Sequence, residues 1–99
     1  MKIDANLTVV VCGGASGLGE AVSRRFAGLG AKVAILDKNV QLGKKIALEI
    51  KGLFVSADIA NYEEVRKAFV SSRKKFGQER VCINCVGIAP AEKTISKGK

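Results

Sequence analysis

Ninety-nine residues, 47% of them hydrophobic, supply enough apolar material for one small domain with a real core and exclude a disordered chain. Seventeen Lys and Arg against nine Asp and Glu give a net charge of +8, which by itself suits nucleic acid, an anionic membrane surface or an acidic cofactor. No apolar run approaches the roughly eighteen residues of a membrane span, and the opening Met1 to Asn6 is too short and polar for a signal peptide, so no membrane partner is expected.

The first predicted element is a strand over Leu7 to Val11, apolar and Val-rich as a strand buried on both faces should be. It runs into Cys12-Gly13-Gly14-Ala15-Ser16-Gly17-Leu18-Gly19 and then into a helix whose apolar residues Leu18, Val22, Phe26 and Leu29 recur at helical spacing. Glycines let the chain turn sharply and approach a pyrophosphate closely, and the free N–H groups of the first helical turn face the negative charge. The spacing G-x-x-x-G-x-G over Gly13, Gly17 and Gly19 differs from the commoner G-x-G-x-x-G, and no Gly-Lys-Ser/Thr follows to make a P-loop. A tight strand-to-helix turn without a ligand is the alternative at this point.

Gly30 supplies a left-handed stop, and Lys32 to Leu36 forms a second strand ending on Asp37. Leu42, Ile46 and Ile50 mark a second helix from Val40, which Gly52 ends before a third strand, Leu53 to Ser56. Asp58 follows that strand. Asn61 caps a third helix, with Glu64 placed for a capping box, Val65, Phe69 and Phe76 as its buried stripe and Gly77 as its stop. A fourth strand, Val81 to Val86, ends at Gly87, and Pro90 to Lys99 reads as a loosely structured tail.

This alternation predicts an α/β fold: a Rossmann-type parallel sheet with helices on both faces, strand order 3-2-1-4, filling residues 1–99 as one incomplete domain. The ligand crevice then lies at the switch point between strands one and four, where the Gly13 to Gly19 loop meets Asn84 to Gly87. The basic residues scatter over predicted helix faces with few aromatics among them, so nucleic acid is not the expected partner.

Together the glycine loop, Asp37, Ala57-Asp58-Ile59 and Asn84-Cys85-Val86-Gly87 resemble the cofactor-binding half of the short-chain dehydrogenase/reductase family, over about residues 5 to 99. Its motifs are T-G-x-x-x-G-x-G, an acid ending strand two, a D-V/I pair after strand three and N-N-A-G after strand four. Within the family, Gly13 to Gly19 and Asn84 to Ala89, with Ala91, Lys93-Thr94 and Lys97-Gly98, are similar to the type-2 3-hydroxyacyl-CoA dehydrogenases, also called 17β-hydroxysteroid dehydrogenase type 10.

The resemblance implies NAD as cofactor, held by Gly13, Ser16, Gly17, Leu18, Gly19, Asp37, Asp58, Ile59, Asn84, Cys85 and Gly87. Asp37 would accept the adenosine ribose hydroxyls and oppose a 2′-phosphate, Lys38 being the one contrary sign. Ser16 would bind phosphate through hydroxyl and backbone, Leu18 through its N–H, and Asp58 with the Ile59 backbone would read the adenine edge. Strand-end and helix-cap roles are the plain alternatives for Asp37 and Asp58. Cys12 departs from the family's Thr, Val86 from its Ala, and Arg80 stands where Asp is frequent.

Cys82-Ile83-Asn84-Cys85 has redox-pair spacing, but residues three apart in a strand face opposite sides, and neither a histidine nor a second pair supports zinc. Buried, inert thiols are expected, and an odd cysteine count without a secretory signal fits a reducing compartment: the cytoplasm, or alternatively the mitochondrial matrix.

Hydride transfer in the family relies on a Ser and a Tyr-x-x-x-Lys pair. These 99 residues are expected to stop before either, and Tyr62, followed four residues later by Arg66, reads as a surface residue, so no catalytic residue is named and the chain alone is expected to be inactive. The leading expectation is the NAD-binding portion of an oxidoreductase acting on a 3-hydroxyacyl-CoA or a hydroxysteroid. The alternatives are a stand-alone nucleotide-binding module and a basic RNA- or partner-binding protein on the same fold. An incomplete sheet is also expected to self-associate.

Overall fold

Four parallel strands in the order β3-β2-β1-β4 carry the fold, with a right-handed helical crossover joining each successive pair. A computed structural model describes residues 4–13, 15 and 17–85. Its elements are β1 (Thr8–Cys12), α1 (Gly17–Gly28), β2 (Lys32–Asp37), α2 (Val40–Ile50), β3 (Leu53–Ser56), α3 (Tyr62–Phe76) and β4 (Val81–Asn84). The expected loose tail, Ser16 and Gly87 lie outside the described residues.

Every residue of β1 is buried, and so are the four central residues of β2, because these inner strands are covered on both faces. Val9, Val11, Val33 and Ile35 pack under α1 and α2 with Ile46 and Ala47. Val10, Cys12, Ala34 and Leu36 face α3 and its Ala68. Each fully buried Val, Ile or Leu side chain here contributes about 1.5–3 kcal/mol relative to an exposed one. This two-sided core is why the strands read as continuous apolar runs.

Several expectations change in detail. In α1 the buried residues are Gly19 and Ser23, with Val22, Phe26 and Ala27 half-buried, while Leu18 and Leu29 of the expected stripe are 69% and 44% exposed. Small residues face the sheet where the helix lies closest to it. The same holds in α3: Ala68 and Ser72 are buried, and Val65, Phe69 and Phe76 border the core half-buried. Ser72 Oγ is buried without a hydrogen-bond partner among the described residues.

Lys51, not Gly52, takes the left-handed conformation that ends α2, at φ 57°. Gly52 serves close packing instead, since a Cβ there would lie 2.5 Å from the Val33 carbonyl oxygen. Gly30 and Gly77 adopt positive φ as expected. The cap of α3 is shared: Asn61 Oδ1 accepts the Glu64 N–H at 3.1 Å, but the Glu64 carboxylate accepts the Asp58 N–H at 2.8 Å. Asn61 N–H is already committed to the Asp58 carbonyl, at 2.8 Å, which is why the reciprocal bond of a capping box goes elsewhere.

β4 is described over Val81–Asn84; Cys85 lies beyond it, although its N–H still donates to the Cys12 carbonyl at 2.8 Å, and Val86 of the expected strand lies outside the described residues. The expectation of buried thiols at Cys82 and Cys85 does not hold, and among the three cysteines it is Cys12 that is buried. Cys82 is exposed and Cys85 half-buried, because β4 borders the sheet and its packing is dominated by β1.

Candidate functional site at the switch point

β2 and β3 lie on one side of β1 and β4 on the other, so the switch point falls between β1 and β4 at their carboxyl ends. The base of the glycine loop is fastened there from both sides. Gly13 N–H donates to the Leu36 carbonyl of β2 at 2.6 Å, and the Cys12 carbonyl accepts from Cys85 beyond β4. Gly13 turns the chain at φ 77°. Gly17 opens α1 at φ 55° with no atom within 4 Å of where a Cβ would stand, so its requirement is conformational and the space above it is open. The first-turn N–H groups of α1, from Gly17, Leu18 and Gly19, have no acceptor within the helix, as at any helix start. Leu18 leaves its side chain exposed, whereas Gly19 is buried against the sheet.

Asp37, the last residue of β2, is the hub of this rim. Its Oδ2 accepts the Ala15 N–H of the loop at 3.1 Å, its Oδ1 accepts the Asn39 N–H at 2.9 Å, and its carbonyl accepts the Ala57 N–H at 3.2 Å. Asn39 in turn caps α2, with Oδ1 accepting the Leu42 N–H at 3.1 Å. Ala15 is fully buried and belongs to the α1/α2-side core, so the middle of the loop is anchored while its open side faces outward.

Asp58 lies in the turn from β3 to α3, brought beside Asp37 by the Ala57 bond, and its Oδ1 accepts the Ala60 N–H at 3.0 Å. Ile59 packs half-buried on the α3-side core. Asn84 ends β4 in register with Cys12, exposed, and Cys85 packs half-buried on the α1/α2 side. Gly13, Gly17, Leu18, Gly19, Asp37, Asn84 and Cys85 thus share one rim, with Asp58 and Ile59 one strand further along it. Sequence reading overlooked Ala15 and Asn39. Asp37-x-Asn39 carried a turn signal, but a buried Ala carries none.

On the α3 side of the sheet Cys12 and Cys82 are neighbours on adjacent strands. A hydrogen bond from Cys12 lowers the Cys82 thiol to about 7, while that contact, with burial added, raises Cys12. Burial raises Cys85. No cluster of three or more potential metal ligands occurs among the described residues. A groove of about 300 Å³ between the ends of α1 and α2, lined in part by Arg24, Glu49 and Lys51, is far from the switch point in the fold and has no thiol or hydroxyl in its lining.

Residues 7–98 match the family profile of the short chain dehydrogenases. The 3-hydroxyacyl-CoA dehydrogenases type-2 of Rattus norvegicus and Homo sapiens are each 38% identical to this chain over 95 residues, 94% of its length and 36% of theirs. The chain therefore spans about a third of the length of the curated relatives it matches. Among solved structures, a 3-ketoacyl-(acyl-carrier-protein) reductase from Brucella melitensis complexed with NADH is similar at 35% identity and a TM-score of 0.74, over 77% of this chain and 32% of that one. A Serratia marcescens short-chain dehydrogenase/reductase shares the fold at 23% identity and a TM-score of 0.81, over 89% of this chain and 38% of that one. With the described residues of four sequence motifs set along the carboxyl ends of a 3-2-1-4 parallel sheet and a family match over residues 7–98, this chain belongs to the short-chain dehydrogenase family.

Proposed function

We propose that this chain is the NAD-binding part of an oxidoreductase that moves hydride between NAD and a 3-hydroxyacyl-CoA or a hydroxysteroid. Asp37 is the observation that carries the cofactor choice. Its carboxylate ends β2 beside the loop, and each oxygen accepts one backbone N–H, so lone pairs remain for two ribose hydroxyls. The same charge opposes a 2′-phosphate. Positive φ at Gly13 and Gly17, and the open space over Gly17, suit a pyrophosphate laid against the first turn of α1. The substrate class is supported by the likeness to the type-2 3-hydroxyacyl-CoA dehydrogenases.

Isothermal calorimetry with NAD and NADP tests the cofactor reading. NAD is expected to bind at least about tenfold more tightly, a difference of about 1.4 kcal/mol, and Asp37→Ala is expected to narrow that ratio. The ratio is the proper readout because looser binding of both cofactors would cancel from it. Equal or tighter binding of NADP by the unaltered chain would remove Asp37 from the ribose.

A further inference from the structure

A carboxylate at the end of β2 is expected to face the ribose, yet here its two oxygens are already engaged by the protein itself. Oδ2 takes the N–H of Ala15, the fully buried middle residue of the described loop, and Oδ1 takes the N–H of Asn39, which caps α2. We infer that Asp37 is a positioning residue for the phosphate loop as well as the acceptor for the ribose, holding Ala15 down so that the N–H groups at the start of α1 face the phosphates. Deepening the reading above, this inference rests on a dinucleotide or its adenylate half being the ligand of the loop.

The geometry gives the tie its strength. Ala15 is fully buried beside the half-buried Asp37, so without the carboxylate its N–H is left either unpaired, which is costly, or dependent on a water that must enter in the carboxylate's place. Gly13, two residues earlier, is held to the Leu36 carbonyl at 2.6 Å, so loop and β2 are joined by two successive bonds, one through the main chain and one through the Asp37 side chain. Opening the second leaves the loop hinged at the first. Asn39 is exposed, and water can serve its N–H if Asp37 is changed. An Asn at this position would therefore turn its one oxygen toward Ala15 and keep the loop in place.

The two roles of Asp37 differ in sign with a ligand that lacks ribose hydroxyls. For 2′,3′-dideoxyadenosine 5′-diphosphate, removing a negative charge near the phosphates should by electrostatics alone leave binding unchanged or tighten it. Loss of the loop anchor should weaken it. Calorimetry is therefore run with ADP and with the dideoxy nucleotide on the full chain, as unaltered protein, Asp37→Ala and Asp37→Asn. The expected result is that Asp37→Ala weakens the dideoxy nucleotide about fivefold or more, and ADP further still. Asp37→Asn is expected to hold the dideoxy nucleotide within about twofold of the unaltered chain.

A ligand-free measurement separates this from the cofactor reading. Amide hydrogen exchange at Ala15 should be slow in the unaltered chain and in Asp37→Asn, and fast in Asp37→Ala, while β1 and β2 amides stay protected in all three. If Asp37→Ala proves unfolded by the β1 amides, Asp37→Leu, close to the carboxylate in size and without an acceptor, replaces it with the same expectations. Unchanged Ala15 exchange with β1 still protected, or dideoxy nucleotide binding unchanged or tightened while ADP weakens, overturns the positioning role and leaves the ribose role standing. Failure of the unaltered chain to bind either nucleotide, with Ala15 exchange still dependent on Asp37, overturns the cofactor reading instead.

Discussion

At the scale of single residues, chemistry and packing place contrasting demands on the three cysteines. Cys12 is buried on β1, Cys82 is exposed on β4, and the hydrogen bond between them favours the thiolate of Cys82, lowered to about 7. Thiolate, not thiol, reacts with alkylating reagents. Iodoacetamide at pH 7.5 is therefore expected to modify Cys82 first, with Cys12 protected until the chain unfolds, and Cys82→Ser should abolish the fast phase seen by peptide mass spectrometry. First modification at Cys85, whose thiol burial raises, would show that the coupling is not as described. In sequence the two strands gave the correct alternation of faces, so that a Cys82–Cys85 pair was ruled out. They could not give the pairing of β1 with β4 in residue register, which sets Cys82 opposite Val10 and Asn84 opposite Cys12, so that Cys82 lies diagonally across from Cys12. The place of Asp37 at the end of β2 was legible for a related reason: an acid closing an apolar run marks where the strand leaves the core. The bond of Asp37 to Ala15 was not, because the loop's path over β2 depends on tertiary contacts that no local pattern encodes.

At the scale of elements, one Asn side chain decides the start of α2 and of α3, yet only the cap of α3 was read in sequence, while the end of α2 depends on two neighbours that trade roles. Asn39 and Asn61 cap α2 and α3 because an Asn side chain reaches the N–H two or three residues on. Asn61 was readable with Glu64 behind it, although the Glu64 carboxylate serves Asp58. The end of α2 was misread by one position. Gly52 carries the usual stop signal, but Lys51 adopts the left-handed turn while Gly52 passes against the Val33 carbonyl. The two positions should respond oppositely. Gly52→Ala pushes a Cβ to 2.5 Å from a backbone oxygen of β2, which cannot yield without disturbing the central sheet, and is expected to cost about 1–3 kcal/mol in urea denaturation. Lys51→Gly relieves the left-handed strain and is expected to be neutral or stabilising by up to about 1 kcal/mol. A stabilising Gly52→Ala would mean that the helix end shifts to absorb it.

At the scale of the whole molecule, strand order was legible because few connections are allowed: three right-handed crossovers with one reversal give 3-2-1-4, and the switch point fixes where ligand-binding loops meet. Coverage of the sheet was less so. The two faces of β1 and β2 are closed by α1 and α2 on one side and α3 on the other, but β4 is held chiefly by β1, and its outer edge pairs with no other strand among the described residues. Val81 and Ile83 are half-buried there, and Cys82 and Asn84 exposed. An unpaired edge with apolar side chains is a template for another strand. Against this stands a net charge of +8, which repels a second copy and weakens as salt shortens the Debye length from about 10 Å at 0.1 M to about 3 Å at 1 M. The 99-residue chain alone is therefore expected to associate in a concentration-dependent way, and more strongly at 0.5 M than at 0.05 M sodium chloride. Light scattering over a concentration series at the two salts measures this directly. Replacing the exposed Cys82 with Lys should shift the midpoint of association to higher concentration, since it sets a charge on the β4 edge without entering the core. A monodisperse monomer at both salts would mean that the edge of β4 is closed within the chain itself.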